Sequence, residues 1–274
     1  MIVACLKWTV RPGAPDDDRF AGVSAADQAA LETALRLGAA RNEPVVAVAA
    51  GPVGAEVALR MALACGAARA VRVDLASDAD SRDVSAALAE VAAGATVVLC
   101  GDYSLDRGSG SVPAFIAHHL GAAQALGLVA VGDASDTSDT SDTIDTTSNR
   151  VHATRRLDGG RREVLAVPFP AVLSVEGSVA SLRRAGLKDS LAAQRVGIEV
   201  VAGTAAHQAT PSQAAPFRPR ARQMPAPAGD DPLSRLRTLT DATGAPSRGE
   251  VVEASPEAGA ARIVAALREW GYLA

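Results

Sequence analysis

Between an apolar run, ATVVLC, and a helical pattern, AFIAHHLG, stands the stretch GDYSLDRGSGSVP, Gly101 to Pro113, with three glycines, three serines and two aspartates. Glycine lets a backbone N–H approach an anion closely, hydroxyls donate hydrogen bonds, and a helix start adds about half a positive charge. Phosphate cradling is the chemistry open to such a loop, and an ordinary strand-to-helix turn has the same composition. A second loop, AAGPVG (Ala49 to Gly54), has similar character. No G-x-G-x-x-G follows the first apolar run and no G-x-x-x-x-G-K-[ST] occurs anywhere, so the usual enzymatic phosphate fingerprints are missing. His118 and His119 are helix neighbours that point about 100° apart and do not converge on one metal as an i, i+4 pair would. Asp102 and Asp106 lack the nucleophile or companion motif of an acid–base pair and read as a solvated loop. Asp136, Asp139, Asp142 and Asp145 recur every three residues around a threefold Ser-Asp-Thr repeat, but without the central glycine and terminal glutamate of a hand-type calcium loop. Cys5, Cys65 and Cys100 form no C-x-x-C pair and read as buried, reduced thiols.

The elements that position these loops follow from hydrophobic period. IVACL (Ile2 to Leu6), VVAVA (Val45 to Ala49), AVRVDL (Ala70 to Leu75) and TVVLC (Thr96 to Cys100) are short, nearly continuous apolar runs, as in strands buried on both faces of a parallel sheet. Helical patterns alternate with them. SAADQAALETALRLGAARN starts at Ser24 as N-cap and places Leu31, Leu35 and Gly38 on one face; two further helices are expected to end at Gly66 and Gly94. The alternation predicts a doubly wound, Rossmann-like α/β fold with a mostly parallel sheet, whose ligands sit beyond the carboxyl ends of the strands. Both glycine loops lie there.

Downstream, VHATRRL and REVLAV flank Asp158, Gly159 and Gly160, an inserted hairpin whose mobile loop covers about residues 133–149, and Ala171 to Glu176 follows as the fifth sheet strand. The α/β domain is expected over residues 1–201. A Pro/Ala-rich linker or arm over 202–232 leads to a C-terminal segment, 233–274, where Ile263, Leu267 and Trp270 share a helix face. With 274 residues, 48% of them hydrophobic, the chain can bury a substantial core. A net charge of -4 gives no reason to expect nucleic acid or an anionic membrane, and 3% aromatic residues leave little for base stacking. No apolar run reaches the roughly 18 residues of a membrane span, and the opening MIVACLKW has no secretory pattern, which points to the cytoplasm.

RRLDGGRREVLAVPFPAVLSVEGS resembles the signature segment of the electron transfer flavoprotein β subunit: a basic-acidic-Gly-Gly hairpin, a strand ending in proline, then Pro-Ala-Val and a strand. VACLK, SAADQAALETALRL, AVAAGP, LRMALACGAARAVRV and VVLCGDYSLDRGSGSVPAFIAHHLG are similar to successive parts of the same family, in the same order. The resemblance implies a heterodimer whose α subunit holds most of a redox-active FAD, while the β subunit buries a structural AMP; in a bifurcating branch a second FAD takes the place of AMP. It implies an electron carrier, without catalytic residues of its own, between a partner dehydrogenase and a downstream acceptor. The positions matching the nucleotide site are Cys5, Ser24, Ala25, Ala26, Asp27, Ala50, Asp106, Arg107, Gly108, Ser109, Gly110, Ser111 and Val112, and Leu187 matches the dehydrogenase-docking leucine.

This chain departs from the family pattern in three places. Ser24-Ala25-Ala26-Asp27 replaces an Asn-Pro sequence, Arg107 and Gly108 replace members of an aspartate run, and SVASLRRAGLKDS replaces an Arg-Leu-Asn-Glu-Pro stretch. The alternative function is an ATP-using enzyme or nucleotide-sensing module of the adenine-nucleotide hydrolase-like fold. Such an enzyme needs a Ser-Gly-Gly-x-Asp-Ser type loop after the first strand, where this chain has LKWTVRPG.

Overall fold

Four apolar runs become adjacent parallel strands in a computed structural model that describes residues 1–9, 21–132, 149–203, 229–240 and 252–273. They are β1 (Ile2–Cys5), β4 (Val45–Ala50), β5 (Arg69–Asp74) and β6 (Val97–Gly101), with a two-residue ribbon of β2 (Trp8–Thr9) and β3 (Gly22–Val23) after the first. Alternate residues explain the two-sided burial. Ile2 and Ala4 face one core layer, while Val3 and Cys5 face the other. Helices α1 (Ala25–Arg41) and α2 (Glu56–Cys65) contribute to the first layer; α3 (Ser81–Val91) and α4 (Val112–Leu120) contribute to the second.

From β1 the chain winds outward to β4 and β5, then crosses back to place β6 on the other flank of β1. Strand order therefore reverses between β1 and β6, the place where doubly wound sheets open a ligand crevice. After α4 the chain builds β7 (Ala123–Val131) and the antiparallel hairpin β8 (Arg150–Arg156) and β9 (Arg162–Pro168), then returns as β10 (Ala171–Val175) into the gap between β6 and β7. Asp158, Gly159 and Gly160 make the hairpin turn, as expected. A short helix α5 (Leu187–Ala193) leads to β11 (Glu199–Ala202), which pairs with β5 and completes a nine-stranded sheet in the order β11-β5-β4-β1-β6-β10-β7-β8-β9.

Helix ends follow local chemistry. The Asp27 N–H donates to Ser24 Oγ at 3.0 Å, so Ser24 is the N-cap of α1, and Gly66 closes α2 in the left-handed conformation. Gly94 does not close α3. That helix stops at Val91, because Ala95 N–H bonds the Ala92 carbonyl and draws Gly94 into the following turn. The α1 helix buries far more than a stripe: Asp27, Glu32 and Thr33 are buried beside its apolar residues. The extra cover is the segment after β10, where Arg183 folds over α1 onto Glu32.

Two units are distinct, Met1–Ser212 and Gln213–Ala274. In the second, α6 (Pro232–Thr240) and α7 (Pro256–Glu269) are the described elements, and Ser255 caps α7 by accepting from Ala258 N–H. Ile263 is 63% and Trp270 59% exposed, an apolar face without cover among the described residues. The Ser-Asp-Thr repeat and most of the 202–232 stretch lie outside the described residues.

Candidate functional site

A cleft of about 850 Å³, counted to its open mouth, lies past the carboxyl ends of β1, β4 and β6, at the reversal of strand order. Cys5, Leu6, Ala50 and Cys100 bring the strand ends to its wall, with Val84 and Leu88 from α3. The opposite wall is the loop before α4, through Tyr103, Ser104, Arg107, Ser109, Gly110 and Ser111. A third side comes from the turn between β5 and α3 and from the first residue of that helix, through Ala76, Ser77, Ala79 and Ser81.

Asp27 ties these pieces together. Its Oδ2 accepts from Lys7 N–H just past β1, and its Oδ1 accepts from Gly101 N–H at the end of β6, both at 3.2 Å. A Cβ on Gly101 would come within 2.5 Å of Asp27 Oδ1, so only glycine lets β6 end against α1. Burial pushes the Asp27 carboxyl up to about 6, with the two backbone donors and Ser24 offsetting only part of that cost. Both bonds to the carboxylate are at the long end of the hydrogen-bond range, which is why desolvation wins.

Lys7 is engaged on the other side of the loop. Its Nζ reaches Asp106 Oδ1 at 2.8 Å and Ser104 Oγ at 3.4 Å. Partial burial alone would raise the Asp106 carboxyl, but the bonds from Lys7, Ser104 and Arg107 N–H carry it down to about 2. Cys5 and Cys100 stand one step past the paired Ala4 and Leu99 of β1 and β6; the neighbouring Cys5 thiol and burial hold the Cys100 thiol well above its ordinary range. Asp102 is also raised, by partial burial and by the nearby Glu176 carboxylate, and its Oδ1 has no partner among the described residues.

Residues 17–206 match the electron transfer flavoprotein domain. Over 185 residues the chain is 32% identical to the electron transfer flavoprotein subunit beta of Syntrophomonas wolfei subsp. wolfei (strain DSM 2245B / Goettingen), covering 66% of this chain and 67% of that one. The chain belongs to the electron transfer flavoprotein β-subunit family.

Of the positions carried over from the electron transfer flavoprotein β subunit, Cys5, Asp27, Ala50, Arg107, Ser109, Gly110, Ser111 and Val112 line the cleft. The others stand behind it. Ser24 is buried as the α1 cap and Ala26 packs beside Gly101, while Ala25 lies next to Gly177. Asp106 faces Lys7, and Gly108, at φ 64°, turns the loop. Gly110 is required for two reasons: its φ is 60°, and a Cβ there would lie 2.7 Å from the Asp102 carbonyl oxygen.

Sequence reasoning passed over Lys7, Tyr103, Ser77 and Ser81. Ser77 and Ser81 carried a usable signal, since ASDADS follows a strand end at the same edge of the sheet. Leu187 opens α5 and is 78% exposed. The basic cluster around it is smaller than the sequence suggests. Arg183 donates to Glu32 through its backbone N–H, Nε and Nη2, leaving Arg184 and Lys188 beside Leu187. Arg60 Nη1 donates to the carbonyls of Ala193, Gln194 and Val196 and so pins the end of α5 to α2.

His118 and His119 are exposed on α4, and no group of three or more His, Cys, Asp or Glu residues among the described residues is arranged to hold a metal. No described helix is long and apolar enough to cross a membrane.

Proposed function

We propose that this chain is one half of a heterodimer whose α subunit holds the redox-active FAD, and that the cleft between the ends of β1 and β6 holds AMP as a structural ligand. The observation that carries this reading is the convergence of an apolar floor with a polar rim at the strand-order reversal. Cys5, Ala50, Cys100, Val84 and Leu88 suit the flat faces of adenine; Ser77, Ser81, Ser109, Ser111 and Arg107 suit a phosphate. FAD supplies the electron chemistry when bound. This chain's residues bind, orient and exclude water.

In this reading the chain is an electron-carrier subunit, and its titratable groups at the cleft serve to hold the site together. Among the described residues at the cleft, Asp27 is bound to two amides, Lys7 to Asp106, and the Cys100 thiol is pushed toward its protonated form. The uncovered face of α7 suits a partner subunit, and Leu187 suits a dehydrogenase that passes electrons onward to an acceptor. Three buried, unbridged cysteines suit the cytoplasm. An ATP-using enzyme would need a phosphate-cradling loop directly after β1; there, Trp8–Thr9 pairs instead with Gly22–Val23.

Co-expression with an α subunit, followed by acid release and mass-spectrometric counting of nucleotides, tests the reading. One AMP and one FAD per heterodimer are expected. Two FAD and no AMP would keep the subunit role and change the ligand of the cleft, and a cleft free of any adenine nucleotide would overturn the assignment.

A further inference from the structure

Among the described residues lining the cleft, Lys7, Asp27 and Arg107 carry the charge, and the first two are already engaged. Lys7 Nζ stands 2.7 Å from Asp106 Oδ2, and the Asp27 carboxylate is turned to two backbone amides. Arg107 lines the cleft with no carboxylate partner among the described residues. Its Nη1 donates to the Ala79 carbonyl at 2.8 Å, so the side chain reaches from the loop before α4 to the turn before α3. Those two segments carry the serines of the rim, Ser109 and Ser111 on one and Ser77 and Ser81 on the other.

A guanidinium has five N–H donors in a planar fork, and a single bond to a carbonyl leaves four of them for another acceptor. The fork matches two phosphate oxygens at once, and charge-assisted bonds of this kind are about twice as strong as neutral ones. Lys7 cannot do the same work while Asp106 cancels its charge. The hydroxyls alone offer no charge to an anion.

Resting on the reading that an adenine nucleotide occupies the cleft, we propose that Arg107 is the residue that reads its phosphate, pairing with the phosphate oxygens and thereby separating nucleotide from nucleoside. The bond to Ala79 holds the guanidinium over the mouth in the meantime, where it also draws the two walls together.

A merely structural strap would act on every ligand of the cleft alike, whereas a phosphate contact acts only on ligands that carry one. The test is therefore a ratio. Calorimetric titration of the full-length protein with AMP and with adenosine is compared for the wild type, Arg107→Ala and Arg107→Lys. Arg107→Ala is expected to weaken AMP about ten- to hundredfold, the loss of one charge-assisted pair, and to leave adenosine within about twofold. Arg107→Lys, which keeps the charge without the fork, is expected to fall between. Equal losses for AMP and adenosine, or an AMP affinity untouched by both substitutions, would overturn the inference and leave the nucleotide reading standing. Wild-type protein that takes up neither ligand would remove the nucleotide reading and this inference with it.

Discussion

Replacing Asp27 by asparagine should flatten the dependence of stability on pH. The buried carboxyl has its pKa raised from 3.8 to about 6 in the folded chain, so the folded state holds the Asp27 proton more tightly than the unfolded one. Its contribution to stability is fully present below the unfolded value and is lost as pH rises through about 6. Between about pH 5 and about pH 8 the folded chain gives up nearly one proton at this site and the unfolded chain almost none, which integrates to about 1.4 kcal/mol of lost stability. Stability at a single pH would not diagnose this. At neutral pH the amide relieves a charge-burial cost of about 3 kcal/mol, but one amide oxygen cannot accept from both Lys7 N–H and Gly101 N–H. Orphaning one donor costs about 1–3 kcal/mol in the other direction. The slope escapes that cancellation. Urea unfolding at several pH values, comparing wild type with Asp27→Asn, isolates it, because Asp102 and the histidines are common to both proteins. Glu43 and Asp106, each carried down to about 2, titrate below the window. Parallel slopes in the two proteins, or a wild type that gains stability relative to the variant as pH rises, would refute the reasoning.

Gly110→Ala should destabilise the protein by about 1–3 kcal/mol through the positive φ and the approach to the Asp102 carbonyl, with or without nucleotide present; an unchanged melting temperature would mean the loop is free to re-form. Leu187→Ala should cost less than about 0.5 kcal/mol while slowing electron transfer from a partner dehydrogenase, whereas Leu99→Ala, in the core, should cost about 2–5 kcal/mol; a large unfolding penalty at Leu187 would place it in packing instead of docking.

The central strands were legible because burial on both faces leaves continuous apolar runs, and β1, β4, β5 and β6 lie close to where those runs are. Two strands left weaker traces. β7 mixes buried with half-covered residues in AQALGLVAV and carries register shifts against both its neighbours, so neither a continuous nor an alternating pattern survives. β11 is a four-residue edge strand, EVVA, mostly exposed. At the cleft, the glycines and serines of the loop announced themselves, since their types are selected by local backbone geometry. The Lys7–Asp106 bridge joins residues 99 positions apart, and Arg183 reaches Glu32 across 151. Pairings of that span exist only once the sheet has brought them together, and no local periodicity encodes them. The same holds for α1, whose sequence shows a stripe while the fold covers nearly its whole circumference.

The burial of Cys5, Cys65 and Cys100 makes the native chain a nearly silent background for thiol-directed labelling. Two of them floor the cleft, and the third sits behind the Arg183 carbonyl, so a bulky maleimide or nitroxide reagent finds little to react with while the fold is intact. A cysteine introduced on the exposed face of α5 would then carry a single spectroscopic tag without any native residue being removed, and distances to a second tagged protein could be read from an otherwise unmodified molecule.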